Sequence, residues 1–178
     1  VPLHTGDSST AINPQLIRDW AQACAEGLET MRAEINALNV FPIPDSDTGS
    51  NMASTMAGAV AALDALTDQS DLPTVTRTLA EAAVSSARGN SGIILSQVLI
   101  GLADAADLAV AENDPSFNRL VKNGLRLGAL AARRAVSEPR DGTILTILKV
   151  AADSASAHVD GSPADLSRAV AEDCSEAL

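Results

Sequence analysis

Apolar side chains return along this chain at every third or fourth position, and period-two alternation is missing. Leu16, Trp20, Cys24, Leu28, Met31, Ile35 and Leu38 form the longest such series, which predicts one amphipathic helix over residues 14–38. Asn13-Pro14 in front of it is a cap followed by proline at the first helical position. A proline-bearing loop over 39–47 ends that helix, and a second helix follows over 49–66 with Met52, Met56 and Val60 on its face. Asp71-Leu72-Pro73 marks a turn, and a third helix runs over 74–87. Arg88-Gly-Asn-Ser-Gly92 breaks the pattern and opens a fourth helix that reaches about 103, with 105–115 read as a turn. Asp114-Pro115 starts a fifth helix to about 136, and a sixth spans 143–157. Ser162-Pro163-Ala-Asp165 reads as a capping box that opens the last helix, with Asp in the usual Glu place. β-branched residues do not cluster into strands, so the fold class is all-α.

Composition agrees with helices in close contact. The chain has 178 residues, enough for one domain with a real core, and is 46% hydrophobic but only 2% aromatic. Abundant alanine favours helix and lets helices approach closely. The expected organisation is a flexible tail over 1–12 and one helical domain over 13–178. The chain starts at Val1 and stops at Leu178 inside a helical pattern, which suggests a piece of a longer protein.

Charge narrows the partners. A net charge of -11 argues against nucleic acid or an anionic membrane surface as the main partner. A polyphosphate would be repelled too, unless metal ions intervene. Cys24 and Cys174 lie far apart and read as reduced, structural thiols. No signal peptide is visible and no apolar run approaches membrane-spanning length, so a cytoplasmic protein without membrane insertion is expected.

The candidate chemistry lies in three breaks of shared design. Asp45-Ser-Asp-Thr-Gly-Ser-Asn51, Arg88-Gly-Asn-Ser-Gly92 and Pro139-Arg-Asp-Gly-Thr143 each mix Gly with Ser, Thr, Asn or Asp and stand just before a helix. Glycine allows close backbone approach, and the free amides of a first turn attract phosphate. Asp45 and Asp47 sit one residue apart on a loop stiffened by Pro42 and Pro44. Hard cations want such closely held oxygens. Each break also reads as an ordinary cap or turn, and the two aspartates as solvated acids. Arg88 is either a solvated charge or a phosphate partner. Lys122 and Lys149 read as surface residues, and His4 and His158 are poorly placed for catalysis. Neither familiar glycine-rich nucleotide signature occurs.

Taken together, three segments carry a resemblance. They are Asn39-Val-Phe-Pro-Ile-Pro-Asp45-Ser-Asp47-Thr-Gly-Ser-Asn51-Met52, Ala87-Arg-Gly-Asn-Ser-Gly-Ile-Ile-Leu-Ser-Gln97, and Asp141-Gly-Thr-Ile-Leu145. In this order, over residues 14–178, the chain resembles the nucleotide-binding domain of the bacterial fatty acid kinase catalytic subunit, a DAK2 or DhaL-type domain. That domain is related to the ATP-binding subunit of dihydroxyacetone kinases. The resemblance implies a barrel or bundle of about seven to eight amphipathic antiparallel helices, with ATP held at one end through two Mg²⁺ ions. It implies that Asp45 and Asp47 are the metal ligands on which catalysis depends, with Asn39 adding an oxygen. Thr48, Gly49, Ser50 and Asn51 would approach the phosphates, Asn90, Ser91 and Gly92 would form a second phosphate-contacting turn, and Asp141 and Thr143 would lie near the base or sugar.

The implied reaction is γ-phosphoryl transfer to a fatty acid carboxylate presented by a DegV-type fatty-acid-binding partner, giving an acyl phosphate. A homodimer of a full-length protein is compatible with it. The alternatives are a dihydroxyacetone kinase-like subunit, a non-catalytic nucleotide-binding regulatory module, and a purely structural bundle. The family usually has Gly between the two aspartates, where this chain has Ser46. If that position needs a positive φ, serine costs on the order of 1 kcal/mol.

Overall fold

The computed structural model describes residues 12–38, 46–114, 116–139 and 142–177. Among these there are seven α-helices and no strand: α1 (Pro14–Leu38), α2 (Thr48–Ala61), α3 (Leu72–Ser86), α4 (Gly89–Ala111), α5 (Phe117–Ala135), α6 (Ile144–Ala157) and α7 (Pro163–Glu176). A short 3-10 turn, Ala62–Ala65, extends α2.

Asn13 is the cap expected from the sequence, its Oδ1 accepting the Leu16 amide at 2.8 Å. Asp71, expected in a turn ahead of a helix from 74, instead caps α3 from Leu72, its Oδ1 accepting the Thr74 amide at 2.9 Å. Hydrogen bonds from Thr74 hold the Asp71 carboxyl below its usual range. Ser162 caps α7, its Oγ accepting the Asp165 amide at 3.2 Å, but the Asp165 carboxylate accepts the Ser162 hydroxyl at 2.6 Å rather than the Ser162 amide, so half of the expected box is made. The fifth helix differs, because Ser116 rather than Asp114 is its cap, accepting the Arg119 amide at 3.4 Å.

Short connections make successive helices antiparallel neighbours. α2 packs on α1 and α3, α4 on α2, α3 and α5, and α6 on α5 and α7. The main core joins Ile17 and Ala21 of α1, Met56 and Ala59 of α2, Val75 and Leu79 of α3, and Leu99 and Ala103 of α4. Ile12, assigned to the tail from sequence, is buried in that core. A second cluster of Ile94, Ala132 and Leu145 ties the start of α4 to the end of α5 and the start of α6.

Small residues set the α4–α5 spacing. A Cβ on Gly101 would stand 2.2 Å from the Gly128 nitrogen, so these helices meet backbone to backbone. Such contact leaves little lateral apolar surface to large side chains, which suits an alanine-rich, aromatic-poor chain.

Two sequence expectations are corrected at α4. The helix does not stop near 103 but runs to Ala111, because Ala105, Ala106 and Ala109 are buried along it and hold it in register. At 23 residues it is also long and apolar enough to cross a membrane, so the expectation that no run approaches that length fails. Its apolarity has an internal cause, since α2, α3 and α5 all pack against it.

Candidate functional site

The start of α2 is built against the last turns of α1. Asn51 donates its amide to Asp47 O at 2.8 Å, closing the first turn. Asp47 stands at the cap position, yet its carboxylate makes no capping bond, so its oxygens are not used by the helix. The residue before it, Ser46, is exposed and has φ 52, the left-handed region. The positive φ that would call for glycine is therefore present, and serine bears it.

Gly49 is buried at the point of closest approach. A Cβ there would lie 2.4 Å from Arg32 O and 3.0 Å from Asn36 Oδ1. Asn36 then makes two bonds to the neighbouring residue: its Oδ1 accepts the Ser50 amide at 3.1 Å, and its Nδ2 donates to Ser50 Oγ at 3.0 Å.

The start of α4 interlocks with that of α2. Gly89 has φ 58, and a Cβ on it would be 2.4 Å from the Asn51 carboxamide nitrogen. Thr55 is fully buried between the helices; its hydroxyl donates to Asn51 O at 2.7 Å and accepts the Arg88 amide at 3.4 Å. Ser91 Oγ reaches Thr48 O in a long 3.5 Å contact. Gly92 closes the first turn of α4 by donating to Arg88 O at 3.0 Å, and it faces inward, where a Cβ would be 2.5 Å from Thr55 Oγ1. The amides of Gly89, Asn90 and Ser91 have no acceptor among the described residues, and Asn90 is exposed.

The start of α6 lies on the other flank of α4, joined to it through Ile94 and Leu145. Thr143 caps it, accepting the Leu145 amide at 3.3 Å, while Gly142, at φ 74, donates to Thr146 Oγ1 at 2.9 Å. Three helix starts thus share one end of the bundle, with α2 and α4 in direct contact. This end also carries exposed cations. Arg88 at the α4 cap and Arg133 and Arg134 at the end of α5 form no ion pair with described residues. Arg77, by contrast, bridges Asp104 and Asp107, and Lys149 pairs with Asp153.

Asn39, Asp45 and Asp141 lie outside the described residues. Of the remaining sequence candidates, Asp47, Thr48, Gly49, Ser50 and Asn51 gather with Asn90, Ser91 and Gly92, and Thr143 sits one helix away. No group of three or more His, Cys, Asp or Glu assembles among the described residues. Sequence reasoning missed Asn36 and Thr55. Both look like ordinary helix positions, and the available signal was only a carboxamide one turn before a glycine-bearing motif.

Helix starts that converge, with amides and arginines unpaired among the described residues, have the chemistry that suits an anion. Residues 42–178 match the DAK2 domain, and the chain belongs to that family. It is 36% identical over 133 residues to the protein YloV of Bacillus subtilis, covering 75% of this chain and 23% of YloV. An uncharacterized Staphylococcus epidermidis protein is 33% identical over 169 residues, covering 94% of this chain and 30% of that protein. A third relative, an uncharacterized protein of Staphylococcus aureus strain USA300, is 33% identical over 145 residues. The chain spans no more than about a third of these relatives' own length. The DAK2 family is associated with kinase and phosphotransferase function, and its domains with nucleotide binding.

Proposed function

We propose that this domain binds ATP through Mg²⁺ and transfers the γ-phosphoryl group to a fatty acid carboxylate presented by a DegV-type partner. The observation that carries the nucleotide part is the interlock of the α2 and α4 starts, where the Gly89, Asn90 and Ser91 amides are open among the described residues and Ser91 reaches Thr48 O, next in sequence to Asp47. The acceptor and partner rest on the resemblance of the loop motif in residues 39–52.

The donor set fits the metal. Asp47 keeps its carboxylate out of the helix cap, and Asp45 and Asn39 supply further oxygens in the sequence. These three residues would hold Mg²⁺, which neutralises phosphate charge in a chain of net charge -11. The amides at the start of α4, with the helix dipole behind them, would bind phosphate oxygens. Thr48, Ser50 and Asn51 would complete the cradle from α2, and Asp141 and Thr143 would border the base or sugar.

Phosphoryl transfer needs positioning and charge neutralisation more than covalent help. A carboxylate acceptor is already ionised near neutral pH, given a reference pKa of about 4. Its oxygen bonds to the γ-phosphorus as the bond to the bridging β-oxygen breaks, leaving acyl phosphate and ADP. No general base is needed. His158 agrees with this, since its Nδ1 lies 3.0 Å from Ser154 O at the far end of α6. The reading sets the reaction in the cytoplasm. It is tested by incubating the domain with ATP, Mg²⁺ and a fatty-acid-loaded DegV-type protein and assaying acyl phosphate; phosphorylation of dihydroxyacetone instead would favour the sister subunit's reaction.

A further inference from the structure

We infer that Asn36 is a positioning residue of this site, holding the Ser50 hydroxyl so that its proton is free to donate to a phosphate oxygen. The proposal rests on the nucleotide reading above and names a residue that reading does not use.

The orientation of the Asn36 amide follows from the bonding itself. A backbone N–H can only donate, so the atom 3.1 Å from the Ser50 nitrogen must be the Asn36 oxygen. The Asn36 NH₂ then faces Ser50 Oγ at 3.0 Å, and an NH₂ group can only donate. Ser50 Oγ is therefore the acceptor in that bond, and its own proton is directed away from Asn36. An unassisted serine hydroxyl rotates among staggered positions. Here one lone pair is fixed, so fewer orientations remain to be lost on binding.

The exchange has a second consequence. Ser50 is within the first turn of α2, where amides lack helical acceptors and are open to an anion. Asn36 takes one of those amides and leaves a hydroxyl donor in its place. The contact cannot drift, because Gly49 brings α2 against Arg32 O and Asn36 Oδ1 with no room for a Cβ. Asn36 lies 14 residues before Ser50, so its two bonds fasten the start of α2 to the last turns of α1.

The experiment is a double-mutant cycle read by calorimetric titration of ATP with Mg²⁺, with melting temperature measured in parallel. Ser50→Ala should weaken Mg·ATP by about tenfold, as expected for a lost bond to a charged group. Asn36→Ala should weaken it similarly, and the double variant should bind no worse than about twofold below either single one. Should Asn36→Ala fail to fold, the cycle runs with Asn36→Asp, which still accepts the Ser50 amide but also takes its hydroxyl proton; Ser50→Ala should then add less than about twofold. A purely structural Asn36 would lower the melting temperature and leave Mg·ATP affinity unchanged, and losses that multiply would mean the residues act separately. Either result overturns the role while Mg·ATP binding by the unaltered domain stands. No binding by the unaltered domain overturns the nucleotide reading and this role with it.

Discussion

Replacing Ser46 by glycine should stabilise this protein. Ser46 has φ 52 immediately before Asp47. A non-glycine residue in the left-handed region bears about 1–2 kcal/mol of steric strain between Cβ and the backbone. Glycine removes that strain but gives the unfolded chain extra freedom, which costs about 0.4–1 kcal/mol. From the middle of each range the net gain is about 0.8 kcal/mol. For a chain of this size each kcal/mol moves the melting temperature by about 2–4 °C, so the expected rise is about 2–3 °C. Ser46 is exposed, so no lost packing offsets the gain. The assay is thermal melting followed by far-ultraviolet circular dichroism, with Ser46→Ala as control. Alanine keeps the Cβ and the strain and should give no rise. A Ser46→Gly protein that melts at or below the parent, or an alanine variant that gains as much, would refute the reasoning. The same substitution should leave Mg·ATP binding in place, because both aspartates remain.

Other outcomes follow from the same contacts. Gly101→Ala forces a methyl to within 2.2 Å of the Gly128 nitrogen, and overpacking of about 1–3 kcal/mol should lower the melting temperature by roughly 2–12 °C. Gly92→Val should act through the fold before it acts on any ligand, because position 92 faces Thr55 Oγ1 at 2.5 Å; loss of helicity or melting temperature checks this, and an unperturbed melt contradicts it. The Asp71 carboxyl is held below its usual range, so its extra stabilisation is fully present above the ordinary carboxylate value and is lost as pH falls through the lowered folded value. Asp71→Asn should therefore lose less stability than the parent over that acid range, as acid titrations of both proteins would show. Burial pushes the Cys24 thiol up, so iodoacetamide should label it more slowly than a small free thiol at mildly alkaline pH.

The helices were legible in the sequence because their apolar period and their caps agree. Asn13 and Ser162 read as caps and each accepts an amide of its helix's first turn, whereas Asp71 and Thr143 prove to be caps where the sequence reads a turn and a helical residue. The end of α4 was not legible. Ala105, Ala106 and Ala109 carry little periodic signal, and only the tertiary fold buries them. The glycine and hydroxyl motifs of the candidate site were visible in the sequence, but not what those motifs touch. Gly92 reads as a ligand-facing glycine and proves to face Thr55, because its place depends on how α2 crosses α4. Asn36 carried little local signal, since its partner Ser50 lies 14 residues on. The need for a positive φ at Ser46 was foreseeable only from the resemblance, and the backbone bears it.

The most direct test of the nucleotide site is calorimetric titration of ATP into this domain, with Mg²⁺ and then with a chelator, repeated on Asp47→Ala. The site as described predicts binding that requires Mg²⁺ and vanishes in Asp47→Ala, with helicity retained. No binding at millimolar-order ATP, a common range for nucleotide substrates, or binding indifferent to both Mg²⁺ and Asp47, would contradict it.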